Sequence, residues 1–253
     1  MSWAGGKGGA GVVQGLISLM PWHRVYVEPF LGGGAVMLAK RPAEWSVGVD
    51  LDAVAVMGFA RAWRGGSVRD PVTREVAVRT GGGGVSLLVG DGIELLRRFP
   101  WRGDELVYAD PPYLMETRRG GSLFRRELDE AGHCELLEVL VGLPCLVMVS
   151  GYWSGLYASV LAGWRSWRYR SLTRGGTSAV EWVWMNYGAV GRLHDYRFVG
   201  GGYRARERVR RRARRWVRRL MAMGSLERGL LLEAVGSVFG ETGRVGAGAA
   251  RVV

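Results

Sequence analysis

The stretch Val107-Tyr108-Ala109-Asp110-Pro111-Pro112-Tyr113 decides how this chain is read. Valine and tyrosine in an apolar run favour a buried strand. The run then stops at an acid, two prolines and an aromatic ring. Each proline fixes its φ and lacks an N–H, so neither continues a ladder and the turn is stiff. A stiff turn holds one carboxylate, one or two carbonyls and one ring in a fixed cluster. That cluster suits a planar group with an exocyclic NH2: two acceptors take its two N–H bonds while Tyr113 stacks on its face. A nucleobase is such a group. Taken alone, the same four residues also read as a proline-rich turn after a core strand.

Upstream lies Val25-Tyr26-Val27-Glu28-Pro29-Phe30-Leu31-Gly32-Gly33-Gly34-Ala35-Val36-Met37-Leu38, a short strand, a glycine turn and an apolar run that opens a helix. Glycines at 32 to 34 let the backbone bend sharply and approach a ligand. A helix from Ala35 presents free N–H groups and a positive dipole end to a polar ligand. A second strand, Ser46-Val47-Gly48-Val49, ends at Asp50. That is about twenty residues past the glycines, where nucleotide-type folds hydrogen-bond a ribose hydroxyl.

The chain opens with Trp3-Ala4-Gly5-Gly6-Lys7. With these three elements in order, it resembles the Dam-like amino-adenine DNA methyltransferases, in a short, phage-type form. The resemblance covers Trp3 to about Tyr187, and the run Glu181-Trp182-Val183-Trp184-Met185-Asn186-Tyr187 is similar to the ending of phage-borne members. It implies an α/β, Rossmann-like methyltransferase sheet and S-adenosyl-L-methionine as cofactor. It also implies that Trp3, Ala4, Gly5, Lys7, Glu28, Pro29, Phe30, Gly32, Gly34, Asp50 and Asp110 line the cofactor site. Asp110, Pro111, Pro112 and Tyr113 would grip an adenine flipped out of duplex DNA. Asp91, after the strand Leu87-Leu88-Val89, stands where such folds set an acid against the cofactor's adenine. It reads equally as a helix N-cap on Ile93 and Glu94.

Composition agrees with a folded, nucleic-acid-facing protein. The chain has 253 residues, enough for a full core, and 48% hydrophobic content with 11 Trp argues against disorder. A net charge of +12 favours a polyanionic partner. Lys7 and Lys40 are its only lysines, and a GC-rich coding bias accounts for the arginine excess as readily as function does. Cys134 and Cys145 are too few for a disulfide framework or a zinc site, and no metal is expected. No apolar run approaches the roughly eighteen residues of a membrane span. A soluble, intracellular, DNA-associated protein is therefore expected.

Along the chain, helix 8–20, strand 25–28, helix 35–40, strand 46–49 and helix 52–63 alternate as an α/β sheet requires. Strand 87–89, a helix from Glu94 to Arg98, the Asp110 strand, helix 133–141 and strand 146–149 continue the pattern. Trp167–Leu172 and Val180–Asn186 suit the antiparallel hairpin that closes a methyltransferase sheet.

Residues 1–199 form the expected catalytic domain, and Gly200-Gly201-Gly202 a linker. Residues 204–253 form a basic helical extension in which Arg204 to Arg219 gathers ten arginines against Glu207. That helix, through Arg210, Arg211, Arg214 and Arg215, either lies along DNA phosphates or is a solvated face of a helical pair. Between Asp50 and Asp110 little is left for target recognition beyond a glycine-rich stretch, 64–84. Recognition then falls to residues 116–126, with Arg118, Arg119 and Arg125, unless those form only a surface loop. The same turn would serve cytosine N4 or an RNA adenine, and a silent nucleic-acid-binding protein of this fold is the contrasting class.

Overall fold

A computed structural model describes residues 11–63, 75–80, 83–117, 127–172 and 178–239. The chain divides into two compact units, 1–195 and 196–253. In the first, the strands are β1 (Val25–Glu28), β2 (Trp45–Asp50), β3 (Glu75–Thr80), β4 (Gly83–Val89), β5 (Glu105–Ala109), β6 (Leu146–Tyr152), β7 (Arg165–Leu172) and β8 (Ser178–Met185). Its helices are α1 (Val12–Ile17), α2 (Ala35–Ala39), α3 (Ala53–Ala62), α4 (Gly92–Arg98), α5 (Glu130–Gly142) and α6 (Gly155–Val160).

All eight strands join one sheet in the order β3-β4-β2-β1-β5-β6-β8-β7. From β4 to β6 the strands are parallel, in registers such as Val27 opposite Val47 and Val107. β8 runs antiparallel to β6, and β7 antiparallel to β8. This is a Rossmann-like sheet closed by a reversed strand. Every residue of β5 is buried, as are the middle four of β2 and the middle five of β6. Burial on both faces is why these strands read as unbroken apolar runs. Val27, Val107, Val147, Leu96, Leu136 and Leu137 form the centre of the core.

Helix starts follow local chemistry. Asp52, Asp91, Asp129 and Ser154 each accept a backbone N–H one turn on, capping α3, α4, α5 and α6. Asn186 ties the closing hairpin to the rest: its Oδ1 accepts from Val147 N at 2.8 Å and its Nδ2 donates to Cys145 O at 2.8 Å.

Three expectations need correction. The glycine-rich stretch 64–84 holds a strand: β3 pairs antiparallel with β4, Glu75 opposite Leu88. β4 begins at Gly83 rather than Leu87. Gly84 belongs there because the Trp45 ring lies where its side chain would be. α6, residues 155–160, lies in a segment with no predicted element.

The second unit carries α7 (Tyr203–Ala222) and α8 (Ser225–Phe239). α7 spans the ten-arginine stretch, and Val209, Trp216 and Val217 on its apolar stripe are exposed. Among the described residues no helix is long and apolar enough to cross a membrane.

Candidate functional site

The carboxyl ends of four neighbouring parallel strands each carry an acid. Asp91 follows β4, Asp50 ends β2, Glu28 ends β1 and Asp110 follows β5. Between β1 and β5 the strand order reverses direction, and open α/β sheets bind ligands outside the carboxyl ends at such a switch point.

The glycine turn is locked to β2. Gly32 donates its N–H to Oδ2 of Asp50 at 2.7 Å, and Asp52 donates to Oδ1 at 2.9 Å. Gly32 and Gly34 take φ values of 48° and 58°, a region that penalises any Cβ. At Gly34 a side chain would also strike Phe59 and Leu31. Burial pushes the Asp50 carboxyl up, and the two N–H donors oppose that shift. α2 has only five residues, and the turn before it spends the N–H groups of Leu31, Gly32 and Gly34 on Val49 O, Asp50 Oδ2 and Leu31 O.

Glu28 is buried, and its Oε2 accepts the Tyr26 hydroxyl at 3.0 Å. Burial pushes its carboxyl up to about 8, with the Tyr26 hydrogen bond pulling the other way and Asp110 adding to the rise. Lys40, buried at the end of α2, sits 4.3 Å from the centre of the Tyr26 ring.

Asp110 is held from two sides. The Ser150 hydroxyl on β6 donates to its Oδ1 at 2.6 Å, and Tyr113 OH approaches the same atom at 3.2 Å. Ser150 also meets the buried Tyr108 hydroxyl at 3.1 Å. Tyr113 is anchored further by Glu181 on β8, 2.6 Å from its hydroxyl, and by the Tyr152 ring at 4.7 Å, edge to face. Tyr169 on β7 donates to the same Glu181 oxygen at 2.7 Å. Burial, then Asp110, push the Tyr113 phenol well above its ordinary range, so it remains a proton donor. Pro111 is buried and Pro112 half-buried, which seats the turn against the sheet.

Of the residues singled out in the sequence, the fold therefore brings Glu28, Pro29, Phe30, Gly32, Gly34, Asp50, Asp91 and Asp110–Tyr113 to one sheet edge. Asp91 acts as N-cap, its Oδ1 taking Ile93 N at 2.8 Å and Glu94 N at 3.3 Å. Trp3, Ala4, Gly5, Lys7, Arg118, Arg119 and Arg125 lie outside the described residues. Arg210, Arg211, Arg214 and Arg215 are exposed on α7, where Arg210 also donates to Glu207 at 2.9 Å. Ser150, Tyr152, Tyr169 and Glu181 were not singled out as site residues. The one available signal was Glu181, a lone acid opening an aromatic strand. Among the described residues no cluster of His, Cys, Asp and Glu could hold a metal, and His133 is a buried α5 residue bonded to Tyr157 OH at 3.0 Å.

No protein-family model matches this chain, and no curated protein matches it. Solved structures do. A conserved hypothetical protein from Streptococcus pyogenes is 16% identical, with a TM-score of 0.46 over 73% of this chain and 99% of its own. An rRNA methylase from Streptococcus thermophilus is 11% identical, with a TM-score of 0.43 over 70% and 94%. A SAM-dependent methyltransferase from Agrobacterium tumefaciens is 12% identical, with a TM-score of 0.42 over 69% and 60%. At such values the likeness is one of chain trace, and the chemistry of the site rests on its own residues.

Proposed function

We propose that this chain transfers a methyl group from S-adenosylmethionine to the exocyclic N6 amine of adenine in DNA. The observation that carries this reading is the Asp110 carboxylate, fixed through Oδ1 by Ser150 and Tyr113 beside the turn that Gly32 and Asp50 lock. The donor set fits the cofactor. Asp50 and Asp110 at the strand ends either side of β1 complement a ligand with an ammonium, a sulfonium and a ribose diol, and a carboxylate has about four acceptor sites, of which Asp50 spends two on Gly32 and Asp52. When bound, the cofactor supplies an electrophilic methyl group on sulfur.

The chain's own residues then do the positioning. Extruding the base costs a few kcal/mol and is needed because N6 is inaccessible within the duplex. Asp110 and the Pro111 carbonyl accept the two N6–H bonds and aim the nitrogen lone pair at the methyl group. Tyr113 stacks on the base, its ring plane set by the tether to Glu181. Catalysis is chiefly orientation and charge complementarity. By the resemblance in sequence, Trp3 and Lys7 complete the cofactor site. Exposed arginines on α7 supply a cationic surface for DNA.

Labelled methyl transfer from the cofactor to unmethylated DNA, followed by hydrolysis and identification of the base, tests the proposal. N6-methyladenine is expected. Label on cytosine N4, or on RNA alone, moves the substrate assignment, and no label on any nucleic acid points to a silent binding protein.

A further inference from the structure

Tyr113 stands between two carboxylates. Its hydroxyl oxygen is 2.6 Å from Glu181 Oε2 and 3.2 Å from Asp110 Oδ1. A phenol has one proton and cannot donate to both at once. The flanks of this chain of oxygens are filled by other donors, Ser150 on Asp110 Oδ1 and Tyr169 on Glu181 Oε2. The Tyr113 phenol thus offers one proton to the two gaps that flank it. A second proton fits there without displacing a heavy atom.

We propose that Asp110, Tyr113 and Glu181 form a relay that removes the proton a methylated amine must lose. The proposal rests on the methyl-transfer reading above. When the neutral amine bonds to the methyl carbon, the carbon–sulfur electron pair stays on sulfur and the nitrogen becomes a cation with one proton in excess. That proton passes to Asp110. Asp110 then protonates the Tyr113 oxygen while the phenolic proton crosses to Glu181. The amine leaves neutral, Asp110 is ionised again, and the proton rests on the buried Glu181 until solvent takes it. Asp110 and Tyr113 touch the base, whereas Glu181 acts through Tyr113 from a strand 68 residues away in sequence.

Two readouts test the relay. In the protein without cofactor, proton NMR should show a low-field hydroxyl resonance, as short charge-assisted bonds do. It should vanish in Tyr113→Phe and move in both Glu181→Gln and Asp110→Asn. A resonance that moves with Glu181→Gln but ignores Asp110→Asn overturns the relay, as does the lack of any such resonance. In turnover, Glu181→Gln and Tyr113→Phe should each lower kcat on the order of 10²-fold, the low end for positioned proton transfer. The double variant should be no slower than either single one. The dependence of the wild-type rate on deuterium fraction should be curved, and linear in the variants. Wild-type turnover in Glu181→Gln, or multiplicative losses in the double variant, overturns the relay and leaves methyl transfer standing. A wild-type chain that methylates no amine fails the underlying reading and the relay with it, while NMR still reports whether the proton is shared.

Discussion

Gly32 donates its backbone N–H to Oδ2 of Asp50 at 2.7 Å, joining the turn after β1 to the end of β2 across 18 residues. One carboxylate thus shapes the turn and, in the proposed reading, faces the cofactor's ribose.

Replacing Asp50 with alanine removes two acceptors for backbone donors, Gly32 and Asp52. At about 1 kcal/mol per hydrogen bond, stability should fall by ~2 kcal/mol. Cofactor affinity, measured by isothermal titration, should fall at least about tenfold, with a smaller effect on DNA affinity. Unchanged cofactor binding would remove Asp50 from the site.

Gly34→Ala tests the turn itself. Its φ of 58° and the nearness of Phe59 and Leu31 both penalise a Cβ. Denaturant titration should show a loss of ~1–3 kcal/mol.

Asp110→Asn keeps the shape of the turn and removes the charge. Methyl transfer should fall on the order of 10³-fold, the scale of a lost preorganised electrostatic contact. Circular dichroism should change little. Turnover near wild type would displace the reaction from this turn.

Glu28 should make stability depend on pH. Its folded carboxyl is pushed up to about 8, against roughly 4.3 when unfolded. Between those values the folded chain holds a proton that the unfolded chain has released. Stability therefore falls as pH rises across that window, by up to ~1.4 kcal/mol per unit, and the contribution present below about 4.3 is lost by about 8. His23 and His194, pushed down chiefly by burial, act in the opposite sense. Each binds its proton more weakly when folded than when unfolded, so their contribution grows as pH rises toward the unfolded value of about 6.5. Glu28→Gln removes the first effect alone. Urea unfolding at pH 5 through 8 should find the variant gaining on wild type as pH rises, and a constant difference would count against the shift.

The arginines of α7 are tested by charge without loss of packing. Arg210, Arg211, Arg214 and Arg215 are exposed, so changing all four to glutamine should leave the melting temperature intact. If all four meet phosphates, the slope of log affinity against log salt on duplex DNA should drop by up to roughly 3.6, about 0.9 for each phosphate. An unchanged slope returns DNA contact to other parts of the chain.

Much of this site is legible from local chemistry. Pro111 and Pro112 end a strand wherever they fall, Gly32 to Gly34 mark a turn, and Asp52, Asp91 and Asp129 cap helices through their neighbours' N–H groups. Such signals are written over a few residues, so strand ends, the turn and the closing hairpin could be read directly. The one strand missed, β3, and the early start of β4 lie among glycines. β3 itself carries Val76 and Val78 in alternation and was hidden only by its glycine-rich flanks, whereas β4 starts on glycines of weak strand preference, and at Gly84 the Trp45 ring explains the choice.

What the sequence alone could not decide is which side chains meet across the sheet. Ser150 reaches Asp110 over 40 residues, and Glu181 reaches Tyr113 over 68. Their strands are adjacent only because the chain returns to the β5 side of β1 and the last hairpin inserts β8 beside β6. An alternating or buried strand states which face it wants, not which strand it will neighbour. The polarity of the Asp110 turn, the raised Glu28 carboxyl and the tether of Tyr113 to Glu181 all arise from that neighbourhood. Burial strips solvent from these groups and leaves protein atoms from distant segments as their partners.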